Sequence, residues 1–275
     1  MKTLFKIIAG IIIFFLLTLI TQVGGIIWLM CLPLFFYINS RYPTYKRWLK
    51  PAVFLIVYCF FTFVIIPPIA GIWGRKPLPF FGKDGLKPLN RMTCLLNRHY
   101  VRLELETLVL DATEKMRQKY PGSVVAYMDA NHPFYNGYPL IPHISHSDGK
   151  KLDIAFFWKN AKDEPLHRKA RTFIGYGGSE NPNKGEYNTT KDCEAKGYWQ
   201  YGLMNKIIPK ANPKKVIFDL ERNRDFMRIL ATHPRTGKIL IEPHLEDRLG
   251  LRGYNKVRFH GCHAVRHDDH LHLQL

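Results

Sequence analysis

Histidines are the residues of this sequence whose type and spacing point most directly to chemistry. Seven of the twelve lie in two clusters, one just before Asp153 and one within the last sixteen residues: His143, His146, His260, His263, His267, His270 and His272. A turn containing Gly149 can bring His146 back beside Asp153. Alternate residues of a strand share a face, so His270 and His272 would project together. Two histidines and one carboxylate with an open fourth position form a catalytic zinc site, whereas structural zinc usually takes four ligands and no Cys-x-x-Cys pair occurs here.

Such a site predicts hydrolysis of an amide. Zinc lowers the pKa of a bound water to about 7. A nearby histidine, whose ordinary pKa is about 6.5, can take the proton of that water near neutral pH. The metal and the protonated histidine then stabilise the oxyanion that forms at the amide carbonyl.

Two motifs carry a resemblance to a known group of enzymes. The first is His-x6-Asp with a glycine at its fourth position, and the second is a His-x-His pair far downstream. Together they resemble the zinc peptidases that share the lysostaphin / D-Ala-D-Ala peptidase / Hedgehog-like fold. The fuller patterns, His143-x2-His146-x6-Asp153 and His267-x2-His270-x-His272, resemble the penicillin-insensitive murein endopeptidases. The resemblance covers residues 95–158 and 238–275, and an N-terminal membrane anchor departs from it.

The resemblance implies three zinc ligands, His146, Asp153 and His272. It places His270 beside the zinc-bound water, where we favour it as the general base. It implies that His143 and His267 lie close by and position that water or the oxyanion.

Asp269 complicates the choice of the base. It lies three residues before His272, where other branches of the superfamily place an acidic base. Strand parity puts Asp269 on the face opposite His270 unless the strand begins after it. Asp269 and His267 are therefore alternatives to His270.

The N-terminal quarter of the chain predicts a membrane anchor. Residues 5–38 and 52–73 are apolar, and a helix needs roughly 20 residues to cross a membrane. Gln22-Val23-Gly24-Gly25 interrupts the first run. We therefore expect three helical spans over residues 1–74, at 4–21, 25–38 and 52–72.

Charge predicts the orientation of these spans. The segment Arg41–Lys50 has four basic residues and no acid, and Lys2 and Lys6 are the only charges before it. By the positive-inside rule the N-terminus and the segment Arg41–Lys50 both stay in the cytoplasm. The third span would therefore export the rest of the chain to the periplasmic or extracellular side of a bacterial cytoplasmic membrane. A signal peptide followed by one anchor is an alternative that exports the same part.

Residues 75–94, rich in Pro, Gly and Lys, predict a linker before a zinc peptidase domain over residues 95–275. In that domain strands and helices mix without regular alternation, which predicts an α+β fold with an antiparallel sheet.

Residues 175–197 predict a long surface loop that belongs to the binding site. The other predicted elements are a helix at 95–119, short helices at 198–208 and 243–249, strands at 123–129, 152–158, 257–259 and 270–275, and strands or short helices at 216–220, 226–231 and 238–241.

Net charge indicates the partners. The chain has 40 basic and 22 acidic residues, a net charge of +18, of which six basic residues and no acid precede residue 73. The rest, net +12, suits an anionic envelope polymer such as peptidoglycan peptides, or anionic lipid beside the N-terminal helices. We expect Arg252, Lys256, Arg258 and Arg266 to contact substrate carboxylates. An exported chain without a nucleic-acid-binding motif is not expected to bind nucleic acid.

Two other functions fit the same residues. The chain could be a zinc hydrolase of another peptide, or a non-catalytic zinc-containing module that binds the cell wall or a partner. Cys94, Cys193 and Cys262 would lie in the exported domain, where one disulfide can form, and the sequence does not indicate which pair.

Overall fold

The computed structural model describes residues 2–212 and 214–275. It divides into two compact units. The helical unit comprises the residues up to Pro77, Met92–Arg102 and Asn131–Gly149. The sheet unit comprises Leu78–Arg91, Leu103–Ala130 and the described residues from Lys150 to Leu275.

The described residues form α-helices and short strands in chain order. The helices are α1 (Lys2–Thr21), α2 (Gly24–Met30), α3 (Leu32–Arg41), α4 (Lys46–Phe60), α5 (Ile66–Ile72), α6 (Met92–Leu95), α7 (Leu103–Lys119), α8 (Thr189–Ala195), α9 (Leu203–Ile207), α10 (Leu220–Thr232) and α11 (Pro243–Arg248). The strands are β1 (Arg75–Pro77), β2 (Leu86–Pro88), β3 (Tyr100–Arg102), β4 (Val125–Tyr127), β5 (Lys151–Ala155), β6 (Trp158–Lys159), β7 (Ile217–Phe218), β8 (Lys238–Leu240), β9 (Val257–Arg258) and β10 (His270–Gln274).

Two helical segments are long and apolar enough to cross a membrane. They are Leu4–Thr21, near the N-terminus, and Lys46–Ile72, in which a π-helical turn at Phe61–Ile65 joins α4 to α5. Length and composition alone identify them, and a signal sequence or a core helix of a soluble protein passes the same test. The predicted span 25–38 is instead two shorter helices, α2 and α3, which meet at Cys31.

The break predicted at Gln22–Gly25 is a tight turn between α1 and α2. Gln22 has a positive φ of 68°. A Cβ atom on Gly25 would lie 2.0 Å from Thr18 Oγ1 and 2.5 Å from Phe14 O. Only glycine therefore lets α2 pack this closely against α1.

The loop Asn131–Gly149, which carries His143 and His146, belongs to the helical unit and not to the sheet unit. The backbone N–H of Phe134 donates to the buried Gln22 side chain at 2.8 Å, and the Tyr138 hydroxyl donates to Thr18 O at 2.6 Å. Phe134 also packs against the apolar core of this unit.

The sheet unit contains a six-stranded sheet in the order β2-β4-β5-β10-β8-β9. The β2–β4 and β8–β9 pairs are parallel and the other three are antiparallel, so the sheet is mixed. The predicted α+β class is confirmed at this level. The sheet is not purely antiparallel, because its first and last pairs run parallel.

Several predicted elements have different bounds. The helix predicted from residue 95 begins at Leu103, because Tyr100–Arg102 is extended and pairs with β1. The segment 75–94, predicted as a linker, includes β1, β2 and most of α6 and is part of the folded units. Residues 226–231 lie inside α10.

Cys193 and Cys262 form a disulfide in the sheet unit with a Cα–Cα distance of 5.3 Å. It ties α8 to the segment that carries His260 and His263. Cys94 is buried and takes no part in this disulfide.

We expect the double change Cys193→Ser and Cys262→Ser to destabilise the sheet unit. The bridge spans 69 residues, and closing a loop of that size stabilises a fold by about 4 kcal/mol in the chain-entropy account. Denaturant unfolding followed by tryptophan fluorescence measures the loss. Reductant should bring the wild type to the stability of the double variant and leave that variant unchanged; a wild type insensitive to reductant would contradict the prediction.

Candidate metal centre

Two antiparallel strands position the central residues of the site. β10 alternates His270, Leu271, His272 and Leu273, and both leucines are fully buried in the core. The opposite face therefore carries both histidines. The pairing of β10 with β5 sets His272 directly across from Asp153.

Asp153 is a fully buried carboxylate between two buried imidazoles. Its Oδ1 lies 2.9 Å from His272 Nδ1 and 3.6 Å from His270 Nε2. Its Oδ2 accepts a hydrogen bond from the Tyr176 hydroxyl at 2.9 Å. Such a carboxylate costs much free energy to bury unless it is paired or coordinated.

Asp269 lies immediately before β10, which begins at His270. Its carboxylate contacts His270 Nδ1 and accepts a hydrogen bond from the backbone N–H of Gly177. The alternation of strand faces therefore does not place Asp269 opposite His270, because the strand begins after Asp269. In this arrangement Asp269 orients the ring of His270.

His267 lies among three other imidazoles. Its ring centroid is 4.2 Å from that of His260, 4.9 Å from that of His270 and 5.6 Å from that of His272. His267 is buried, and its Nδ1 has no hydrogen-bond partner among the described residues.

The buried carboxylate of Glu242 contacts two of these histidines, His260 and His267. Glu242 Oε1 accepts a hydrogen bond from the Tyr201 hydroxyl at 2.6 Å and another from the backbone N–H of His267 at 3.1 Å. It also lies 3.3 Å from His260 Nε2. Burial raises the pKa of Glu242, but the hydrogen bonds from His260, Tyr201 and His267 outweigh that effect and lower it.

The histidines next to Asp153 differ in their affinity for a proton. Burial disfavours the charged form of His270, but the carboxylates of Asp153 and Asp269 outweigh burial and raise the pKa of His270 to about 9. Burial and the neighbouring imidazoles of His270 and His260 hold the pKa of His267 well below its usual range.

His143 and His146 lie in the helical unit. Both are buried, and their ring centroids are 5.5 Å apart. The backbone N–H of His146 donates to the carbonyl of His143 at 2.9 Å, which closes a tight turn. Gly149, at a positive φ of 81°, provides the predicted turn before β5 begins at Lys151.

Each unit contains buried side chains of the types that bind metal ions: His143, His146, Asp153, His270 and His272. The first two belong to the helical unit and the last three to the sheet unit. Imidazole nitrogens and a carboxylate oxygen are ligands that zinc takes, and buried polar atoms such as His267 Nδ1 suit a site of this kind. The residues therefore fit the predicted ion by donor type.

Sequence reasoning missed Tyr176, Tyr201 and Glu242. Tyr176 lies in Gly175-Tyr176-Gly177, at the start of the loop predicted to belong to the binding site. The two flanking glycines are the only feature of the sequence that could have drawn attention to it. Glu242 and Tyr201 sit in segments without a motif, so only the tertiary structure identifies them.

The basic residues expected to contact the substrate already have partners within the protein. Arg266 pairs with the buried Asp268, and Arg252 pairs with Asp247. Lys256 Nζ donates to His233 O at 2.7 Å, and Arg258 Nε donates to Asn255 O at 3.1 Å. The structure thus gives each of the four a role in internal contacts.

Arg248 holds the loop after Gly177 against α11 through two carboxylates. It lies 2.7 Å from Glu180 and 2.5 Å from Glu186. Hydrogen bonding to Arg248 lowers the pKa of Glu186 to about 2, from an ordinary 4.5.

This shift predicts a loss of stability in acid. A depressed carboxyl pKa stabilises the fold above the unfolded value of 4.5, and that stabilisation disappears as the pH falls from 4.5 towards 2. We expect Glu186→Gln to reduce the dependence of the thermal midpoint on pH over this interval, with Glu164→Gln as an exposed control. An unchanged dependence in Glu186→Gln would contradict the prediction.

Comparison with known proteins leaves the family open. No protein-family model matches this chain, and no curated protein matches it significantly.

Proposed function

We propose that this chain is a membrane-anchored zinc peptidase that hydrolyses amide bonds in peptidoglycan stem peptides or cross-links. The observation that carries the proposal is the fully buried carboxylate of Asp153, held by Tyr176 between His270 and His272. The sequence resemblance to murein endopeptidases adds the type of bond and the class of substrate.

Three residues are proposed to hold the zinc ion: Asp153 and His272 from the paired strands, and His146 from the loop Asn131–Gly149. The position of Asp153 opposite His272 in the β5–β10 pair supports the first two. Burial, donor type and the His-x6-Asp spacing support His146. Bound zinc would supply a Lewis acid that activates water and polarises a carbonyl.

The other residues of the site are proposed to move and hold protons. Asp269 contacts His270 Nδ1, which leaves the Nε2 side of that ring to exchange a proton with the reacting water. The neighbouring carboxylates alone favour the protonated ring at neutral pH, and the positive charge of bound zinc would lower the pKa of His270 so that the ring can accept a proton. His267 is proposed to position the water or to stabilise negative charge on the substrate carbonyl oxygen, and His143 to assist. Tyr176 fixes the orientation of the Asp153 carboxylate.

The disulfide supports placement of the sheet unit outside the cytoplasm. Disulfides such as Cys193–Cys262 persist in oxidising compartments and are rare in the cytosol. Together with the basic segment Arg41–Lys50, this favours a bacterial cytoplasmic membrane anchor with the site on the periplasmic or extracellular side.

The test uses the full chain purified in detergent and loaded with zinc. Incubation with cross-linked muropeptides, followed by mass spectrometry, should show the loss of the cross-linked species and identify the bond cleaved. His270→Ala should abolish cleavage and retain zinc, whereas His263→Ala, which changes an exposed histidine, should retain both. Stoichiometric zinc without cleavage of any muropeptide would contradict the peptidase and favour the non-catalytic module.

A further inference from the structure

A basic cleft lies in the sheet unit, apart from the residues that surround Asp153. It has a volume of about 650 Å³ and is lined by three segments, residues 89–91, 168–173 and 209–211. Its lining contains five cationic side chains and no acidic one: Arg91, Arg168, Lys169, Arg171 and Lys210. Net charge of this density attracts anions.

Four of these five cationic side chains have no acidic partner among the residues that the structure describes. Arg171 is the exception, since its guanidinium lies 2.7 Å from Glu180. Arg168 Nε donates to Pro88 O at 2.8 Å, a contact that fixes the side chain and leaves its charge in place. Lys169 and Lys210 are exposed and have no acidic partner among the described residues.

One loop connects the cleft to the candidate metal centre. Residues 168–173 line the cleft, and a few residues later Tyr176 donates to Asp153 and Gly177 donates to Asp269. Between them, Gly175 has a φ of 91°, and a Cβ atom there would lie 2.4 Å from Met128 Cε. The loop is therefore held tightly against the sheet at this point.

The cleft and the site also border one small apolar core cluster. Leu89 and Ala170, which line the cleft, pack in one cluster with Ala155 of β5 and with Tyr176. Ala155 lies opposite His270 in the β5–β10 pair. This shared cluster places the cleft next to the Asp153 site, at a distance that an extended molecule can span.

We propose that the cleft binds a carboxylate-bearing part of an extended peptide substrate, whose scissile amide lies at the Asp153 site. The position of the scissile amide rests on the proposed function, whereas the binding of the carboxylate rests on the cleft alone. Lys169 and Lys210 supply the charge that attracts the carboxylate, and Arg168, whose position is fixed by Pro88, can also contact it. Binding energy from this remote part would hold the amide in place for reaction.

The test measures binding separately from cleavage. Calorimetry, with every chain carrying His270→Ala so that the muropeptide is not cleaved, would give the dissociation constant of a muropeptide with free carboxylates for the otherwise wild-type chain and for the double variant Lys169→Gln and Lys210→Gln. Exposed charge pairs each contribute modestly to binding, so we expect the loss of both lysines to weaken binding by about two- to thirtyfold. The control is Lys162→Gln with Lys184→Gln, two exposed lysines that do not line the cleft.

Three further measurements separate the outcomes. Amidating the carboxylates of the muropeptide should weaken its binding to the wild type as much as the double variant does, and the zinc content should be the same in all variants. An unchanged dissociation constant in the double variant would overturn the proposal. The proposal would also be overturned if the double variant bound inorganic phosphate more weakly than the wild type but bound the muropeptide equally well. If the chain with an intact His270 holds zinc but cleaves no muropeptide, weakened binding in the double variant would still support the cleft, and the absence of cleavage would contradict only the proposed function.

Discussion

His272→Ala is expected to lower the affinity of the protein for zinc by more than about 100-fold and to abolish peptide cleavage. Loss of an outer residue that only orients a ligand already costs about 10–100-fold, and His272 is proposed to be a ligand itself. Its ring also lies 2.9 Å from Asp153, so the change leaves this buried carboxylate with fewer partners.

The measurement is a competition titration of zinc against a chelating dye, followed by the muropeptide assay. His263→Ala is the matched control, because His263 is exposed and contacts Tyr198 instead of the Asp153 cluster. Wild-type zinc affinity in His272→Ala would show that the ligand assignment is wrong.

Arg75→Met is expected to loosen the loop Asn131–Gly149 and, through His146, to lower the zinc affinity at least tenfold. The buried Arg75 guanidinium donates to the carbonyl of His132, to Asn136 Oδ1 at 2.7 Å and to Ser147 O at 3.0 Å. Burial and the nearby Arg102 lower the pKa of Arg75 to about 10, which still leaves it charged at neutral pH.

Hydrogen bonds to charged groups contribute about 1.5–3 kcal/mol each, so losing this set should raise amide hydrogen exchange throughout the loop. Exchange measured by mass spectrometry tests that part whether or not His146 binds zinc. The control is Lys83→Met, which removes an exposed cation from the sheet unit. Wild-type exchange in Arg75→Met would contradict the role given to Arg75, and raised exchange with unchanged zinc affinity would contradict His146 as a ligand.

The N-terminal helices also support the loop Asn131–Gly149. The loop that carries His143 and His146 belongs to the same compact unit as α1–α5, and Gln22 and Thr18 of the first helical hairpin accept hydrogen bonds from it. Removing the helices to obtain a soluble fragment would therefore remove the support of this loop, so the experiments above use the full chain.

Local patterns predicted part of the site well. The alternation of histidine and leucine in residues 270–273 was sufficient to place both imidazoles on one strand face, because side-chain direction in a strand is a local property. The glycine before Asp153 likewise indicated a turn that the positive φ of Gly149 confirms.

Other features depend on contacts between distant segments and leave no local pattern. Tyr176 reaches Asp153 across 23 residues, and Tyr201 reaches Glu242 across 41. The residues Tyr100–Arg102 fit a helical periodicity, yet they are extended because β1 pairs with them, which illustrates how tertiary pairing overrides intrinsic preference. The Cys193–Cys262 pairing could not be read from spacing either, since three cysteines allowed three choices.

The metal content of the intact 275-residue chain tests the central claim most directly. Elemental analysis of the chain, purified without added metal or chelator, should find about one zinc ion per chain in the wild type and none in Asp153→Asn, with both proteins folded to the same extent by circular dichroism. A wild type without zinc that takes up none on addition, or an Asp153→Asn variant that keeps a full complement, would contradict it.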